Sequence, residues 1–278
     1  MTDAAQNVQP SEIRVARAPT RVSASMSRQS VERLMNIISP VALIGIWEIC
    51  AQLGLIDVRF FPPPSKIFKV MYTMIGNGLL EKHVWASMQR LFWGILWGGI
   101  PALILGVAMG MFRTLRMIVE PIIAATYPIP KSAILPLILL IFGLGEPSKI
   151  VMVATGVFFP ILINAMAGVL EINKIHFDVS RNFGASGFQV FRTVALPGAL
   201  PLIMTGVKLG VGLGLVLIAI AEMVGAKSGL GYMIWNAWEI LSVETMYVGL
   251  ITIAVLGLLF TLVLNEIERL IVPWKSSR

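Results

Sequence analysis

The sequence predicts an all-α membrane protein with six transmembrane helices and both termini on the cytoplasmic side. Three observations lead there. The 278 residues are 56% hydrophobic and only 13% charged, with a mean hydropathy of +0.82, too apolar for an ordinary globular domain. The apolar residues are gathered into runs of roughly 20, the length that crosses a bilayer core. The basic residues gather on alternate connections: about thirteen of the 22 Lys and Arg fall on one side of the resulting topology and about six on the other.

Composition also excludes several classes. One cysteine, Cys50, rules out an internal disulfide, and two isolated histidines give no metal cluster. The net charge of +7 is spread over the ends of apolar runs without aromatic interleaving, which fits membrane topology better than nucleic acid.

Residues 1–36 carry Arg14, Arg17, Arg21, Arg28 and Arg33 among small residues and prolines, and have no apolar centre. They read as a mostly disordered cytoplasmic tail, with 31–36 as a possible inward extension of the first span; targeting or partner binding is the alternative. A transmembrane domain then fills 37–278. Its first span, 37–55, contains Glu48, read as an interfacial or interhelical hydrogen-bonding group rather than a transport residue. Pro62, Pro63 and Pro64 end that helix, and Ser65 is placed to cap the next. Ile67, Val70, Met71, Met74 and Ile75 make a narrow apolar stripe over 65–76, an amphipathic helix lying flat on the outer surface or against the bundle.

The second span, 84–111, carries Gly94/Gly98 and Gly106/Gly110, two small-residue pairs that let helices approach closely in lipid. The third, 118–142, is interrupted by Pro121, Pro128, Pro130 and Pro136. Broken helix at membrane depth is tolerated against protein or a water-filled path, so this span is assigned to the translocation route. Lys131 follows the Pro128-Ile129-Pro130 break; its ammonium and the free N–H groups of the next half-helix favour an anion, although burying a lysine costs about 2.5–3.5 kcal/mol. The other reading has Lys131 bonded to neighbouring carbonyls or water. The fourth span is 149–170. The fifth, 201–224, has Gly206, Gly210 and Gly214 on one face, which predicts the tightest helix contact in the molecule, and it ends at Glu222, either a gating residue on the path or a carboxylate capped by its neighbours. An outer loop with a short helix bearing Trp235 and Trp238 precedes the last span, 245–272.

Between spans four and five lies the longest lapse in hydrophobicity after the N-terminal half, 171–200. It reads as two short amphipathic helices meeting at Gly184, a residue free to take positive φ, with Ser186 capping the second helix. Phe188, Phe191 and Val194 fall at spacings of three and make one side of that helix apolar; Pro197 and Pro201 are expected to stop it.

This elbow resembles the signature of bacterial ABC importer permeases, which runs Glu-Ala-Ala, three residues, Gly, nine residues, Ile, one residue, Leu-Pro. Here Asp178-Val179-Ser180 is followed at the same spacings by Gly184, then Val194, Ala195, Leu196 and Pro197. Val179 and Ser180 depart from the paired alanines, which predicts looser packing of the first short helix. Gly184-Ala185-Ser186 and the stretch after Leu196 look like the nitrate, sulfonate, taurine and bicarbonate branch. The resemblance implies the type I importer permease (MetI-like) fold and an elbow that docks on a separate ATPase through Asp178, Ser180, Gly184, Ala185, Ser186, Phe188, Phe191, Val194, Leu196 and Pro197.

It implies further a permease rather than an enzyme, located in the bacterial inner membrane. Two ATPase subunits bind the ATP and Mg, a second permease copy completes the pore, and a periplasmic or lipid-anchored receptor delivers a small oxyanion. The chain has no GxxxxGK[ST] loop of its own and needs no cofactor. The competing class is a secondary carrier driven by an ion gradient, which requires coupling-ion ligands inside the spans where acids are few.

Overall fold

The computed structural model of the chain describes residues 24–274, with side chains described from Ile38 onward. The basic stretch before Ala24 and the last four residues lie outside the described residues. The described residues form eleven α-helices, a 3₁₀ segment and a π segment, with no strand among them. Helix α1 spans Ala24–Gln52, so regular structure begins well inside the stretch expected to be a disordered tail. Its apolar part, Ile38–Gln52, is short for a crossing. Helix α2 (Pro64–Gly76) starts on Pro64, whose missing N–H costs nothing at that position. The expected cap is reversed: Ser65 donates through its backbone N–H (2.9 Å) and its hydroxyl (2.8 Å) to the Glu48 carboxylate. An acid of α1 therefore sits at the positive end of α2, which suits the interhelical reading of Glu48. In the loop between the two helices, hydrogen bonds from Arg59 hold the Asp57 carboxyl below its usual range.

Four helical stretches are long and apolar enough to cross a membrane: α3 (Leu79–Met111), α6 (Glu146–Leu170), the run Gly187–Met223 and α11 (Val243–Ile271). A fifth crossing arises if the bent pair α4 (Arg113–Thr126) and α5 (Leu135–Phe142) counts as one. The third span, expected to be broken, is two half-helices at 86°, joined through a 3₁₀ turn at Lys131–Ile134. Pro128 and Pro130 are the physical reason, since neither can donate to the preceding turn.

Helices α3, α6 and the C-terminal part of the Gly187–Met223 run, α9 (Leu196–Met223), pack side by side around Leu91, Val153, Val157, Ile161 and Leu215. Glycines set the spacing. At Gly98 an added Cβ would lie 2.4 Å from the Ala154 carbonyl oxygen, and at Gly106 2.5 Å from that of Leu162. In the α9 ladder, a Cβ at Gly206 would lie 2.8 Å from the Pro160 carbonyl oxygen of α6, one at Gly210 3.3 Å from the Val157 side chain, and one at Gly214 3.0 Å from Leu91 of α3. A Cβ at Gly231 would come closer still, 2.0 Å from the Ala219 carbonyl oxygen of α9, so the tightest contact does not lie at the α9 ladder. Backbone cannot yield as a side-chain tip can, so Gly98→Ala is expected to destabilise the purified protein by about 1–3 kcal/mol. Gly212→Ala, with open space around it, should leave the thermal melting curve unchanged.

Helix α2 covers the end of this bundle with α10 (Leu230–Glu239) and α11, burying Ile67, Met74, Leu230, Met233 and Val248. It lies against the bundle, one of the two placements its stripe allowed. At the other end of the bundle stand the two short helices of the elbow.

Candidate functional site: the elbow and the buried ionic clasp

In the elbow, α7 (Lys174–Asn182) is capped by the Asn173 side chain, which accepts from the Ile175 N–H. It ends in a Schellman motif: the Gly184 N–H bonds the Arg181 carbonyl (2.9 Å) and the Ala185 N–H bonds that of Ser180 (3.0 Å), with Gly184 at φ +75°. Ser186 then starts α8 (Gly187–Val190) with a full capping box, its hydroxyl accepting from Gln189 and its own N–H donating to the Gln189 side chain. The turn chemistry is as the sequence indicates.

The exit from the elbow is not. Pro197 and Pro201 do not stop the helix; they lie near the start of and inside α9, and α8 runs into it through a π-helical turn at Phe191–Ala195. Pro197 lacks the N–H that Thr193 would receive in regular α-helix, and the wider turn absorbs that mismatch. Elbow and fifth apolar stretch are consequently one rod.

This continuity also reorients the apolar side. Phe191 is half-buried, packed with Phe177 and Leu196 onto Val107, Ala165, Val169 and Ala199. Val194 and Pro197 are half-buried and line a cavity of about 300 Å³ with Ile172, His176 and Trp274. The uncovered apolar residues are Phe183 (88% exposed), Phe188 (70%), Ile175 and Val179. Phe191, expected on the docking side, thus faces the bundle and stacks against Phe188 with ring centroids 6.2 Å apart. Asp178 is exposed, Ala185 and Leu196 half-buried, and Ser180 spends its hydroxyl on the Phe177 carbonyl (2.8 Å).

Of the residues assigned to a path, Lys131 is half-exposed at the bend between α4 and α5. Its ammonium donates to the Thr126 and Tyr127 carbonyls (3.1 and 3.2 Å) and stands 4.0 Å over the Phe159 ring. It turns back to the end of the first half-helix rather than toward the start of the second. Pro128 and Pro130 lie in the linker that makes this possible.

The Glu222 side chain is fully buried. Both of its oxygens accept from the Ser87 hydroxyl (2.9 and 2.8 Å), one from Arg90 (2.7 Å) and the other from the Gly231 N–H (2.9 Å). Arg90 forks onward to Glu146 (2.5 and 2.7 Å) and to the Ser228 carbonyl (2.7 Å). The Leu230 N–H bonds Ser87 and the Gly229 N–H bonds His83. His83, Ser87 and Arg90 share one face of α3, so they grip the loop before α10 like a clasp. Gly229 is required there: it holds φ +117°, and a Cβ would meet the Glu222 carboxyl carbon at 2.2 Å. Sequence reasoning missed Arg90, although an arginine within an apolar span is itself a signal. It also missed Lys208 of α9, which ties to Asn265 (2.5 Å) and Glu268 of α11. Among the described residues no group of three or more His, Cys, Asp or Glu could hold a metal.

A bundle of apolar helices, one of them broken at prolines, with a capped amphipathic elbow fused to another, defines a multi-pass membrane transport component. Residues 94–277 match the family described as "Binding-protein-dependent transport system inner membrane component". The chain belongs to that family, an assignment that favours the ABC permease reading over a gradient-driven carrier. It is similar to the taurine transport system permease protein TauC of Escherichia coli K12, 36% identical with 87% of this chain and 90% of the relative covered. It is also similar to the putative aliphatic sulfonates transport permease protein SsuC of the same strain, 35% identical over 86% and 90%. Among solved structures it resembles an inward-facing conformation of the MetNI methionine ABC transporter, with a TM-score of 0.53 at 25% identity, covering 69% of this chain and 95% of the other.

Proposed function

We propose that this chain is the permease subunit of an ATP-driven importer in a bacterial inner membrane, carrying a small oxyanion of the taurine or alkanesulfonate kind. The substrate class rests on the similarity to permeases so named. Nitrate and bicarbonate belong to the same chemical set of compact oxyanions.

The observation that carries the mechanism is the continuous rod. Phe183 and Phe188 present uncovered apolar surface at a rigidly capped turn, and the helix that begins there runs unbroken to Met223. A load applied at the elbow is therefore delivered along α9 rather than dissipated in a loop. Two ATPase subunits, which bind the ATP and Mg, engage two such elbows, so a second copy of the permease is part of the assembly. The surface of α4 supports that copy: none of its residues is buried within this chain, although Met117, Ile118 and Ile122 are apolar. A separate receptor delivers substrate to the end formed by α2 and α10. The six crossings are α1, α3, the α4–α5 pair, α6, α9 and α11, with both termini cytoplasmic, the arrangement that puts the elbow beside ATP.

A Ser186→Cys variant in a Cys50→Ser background tests the orientation. A membrane-impermeant maleimide should label it only in inverted vesicles; labelling from outside intact cells would place the elbow beyond the reach of any ATPase.

A further inference from the structure

The break in the third crossing leaves a vacancy that the chain fills with its own side chain. In a continuous helix the Thr126 carbonyl would receive the N–H of residue 130, but that residue is Pro130 and has none. The Ile129 N–H reaches it only at 3.3 Å. The Lys131 ammonium takes up this carbonyl and that of Tyr127, with the Phe159 ring face beneath it at 4.0 Å and the Tyr127 ring 6.0 Å away. Two carbonyls at a helix C-terminus and an aromatic face form a seat for a primary ammonium, and here a primary ammonium sits in it. Tyr127 is exposed and Lys131 half-exposed, so the seat is reachable.

An anion that draws Lys131 out leaves the Tyr127 carbonyl without that donor and the Thr126 carbonyl with only the long Ile129 bond, which opposes its binding. A molecule with an acid at one end and an ammonium at the other avoids that loss, because its own ammonium replaces the one it displaces. We infer that the seat formed by the Thr126 and Tyr127 carbonyls and the Phe159 ring is a subsite for the amine of a short zwitterionic substrate, with Lys131 exchanging out of it to hold the acid end. This rests on the oxyanion reading above and narrows it to amino acids of the sulfonate type over plain alkanesulfonates.

The test uses the full chain alone in nanodiscs, so that neither the receptor nor the ATPase contributes selectivity. The probes are taurine, 1-propanesulfonate, in which a methyl replaces the ammonium, and propylammonium, which lacks the acid. Taurine should bind about tenfold more tightly than 1-propanesulfonate. Phe159→Leu should remove most of that preference by weakening taurine and sparing 1-propanesulfonate. Lys131→Met, which empties the seat, should weaken both acids and gain binding of propylammonium that the parent chain lacks. Equal binding of the two acids, a Phe159→Leu variant that weakens both alike, or a Lys131→Met variant inert to propylammonium would each overturn the subsite. ATP-driven uptake of either acid by the complete transporter would in those cases still uphold the importer reading, and its absence would sink that reading separately.

Discussion

Arg90→Met is expected to cost about 3–5 kcal/mol of stability, the largest effect of any single change described, because it strands a carboxylate with no access to water. Glu222 is fully buried, and Arg90 is the cation paired with it. The remaining donors to Glu222, the Ser87 hydroxyl and the Gly231 N–H, are neutral and cannot replace the charge. Arg90→Lys should fall between, since an ammonium keeps the charge but cannot fork to Glu146, Glu222 and Ser228 together. Arg90→Met combined with Glu222→Gln should recover part of the loss, because the amide still accepts from Ser87 and Gly231 without needing a counter-charge. Thermal unfolding of the purified protein in one detergent measures all three variants beside the parent. If Arg90→Met alone melts like the parent, the clasp does not hold the loop before α10.

Phe183→Asp and Phe188→Asp are expected to abolish ATPase association while leaving membrane insertion and melting temperature intact. Both side chains are among the most exposed apolar groups of the molecule and touch little of their own chain, so an acid there costs the fold little. An interface anchor of this size is worth about 2 kcal/mol or more when lost, a roughly 30-fold or greater drop in affinity before repulsion is counted. Phe191→Asp separates the two roles. That ring packs onto Val107, Ala165, Val169 and Ala199, so the variant should lose stability first and association only as a consequence. Co-purification with the ATPase, set beside melting curves, distinguishes the cases. Retained association in both exposed variants would remove the elbow from the docking surface.

Local chemistry was legible wherever the signal is carried by neighbours in the chain. Gly184, Ser186 and Gln189 specify their turn and cap through bonds that span a few residues, and those bonds form as the sequence indicates. The prolines at 128 and 130 foretold a break for the same reason. Pro197 and Pro201 misled because proline's effect depends on whether the surrounding turn can widen, and a π turn upstream lets the helix continue. The Phe188, Phe191 and Val194 stripe misled differently. Periodicity identifies an apolar side without saying what covers it, and here the bundle takes Phe191 while Phe183, off the stripe, is left uncovered.

The sequence by itself determined the class of protein, the apolar stretches, the elbow and its turn, because hydropathy, proline and capping act over one helix or less. Only the tertiary structure decided that Glu222 is clasped by Arg90, that Lys131 sits over Phe159, and that elbow and α9 are one rod. The first two join residues 132 and 28 positions apart in the chain. Which partner a buried charge finds is set by how the helices pack, and no pattern along the chain encodes that distance.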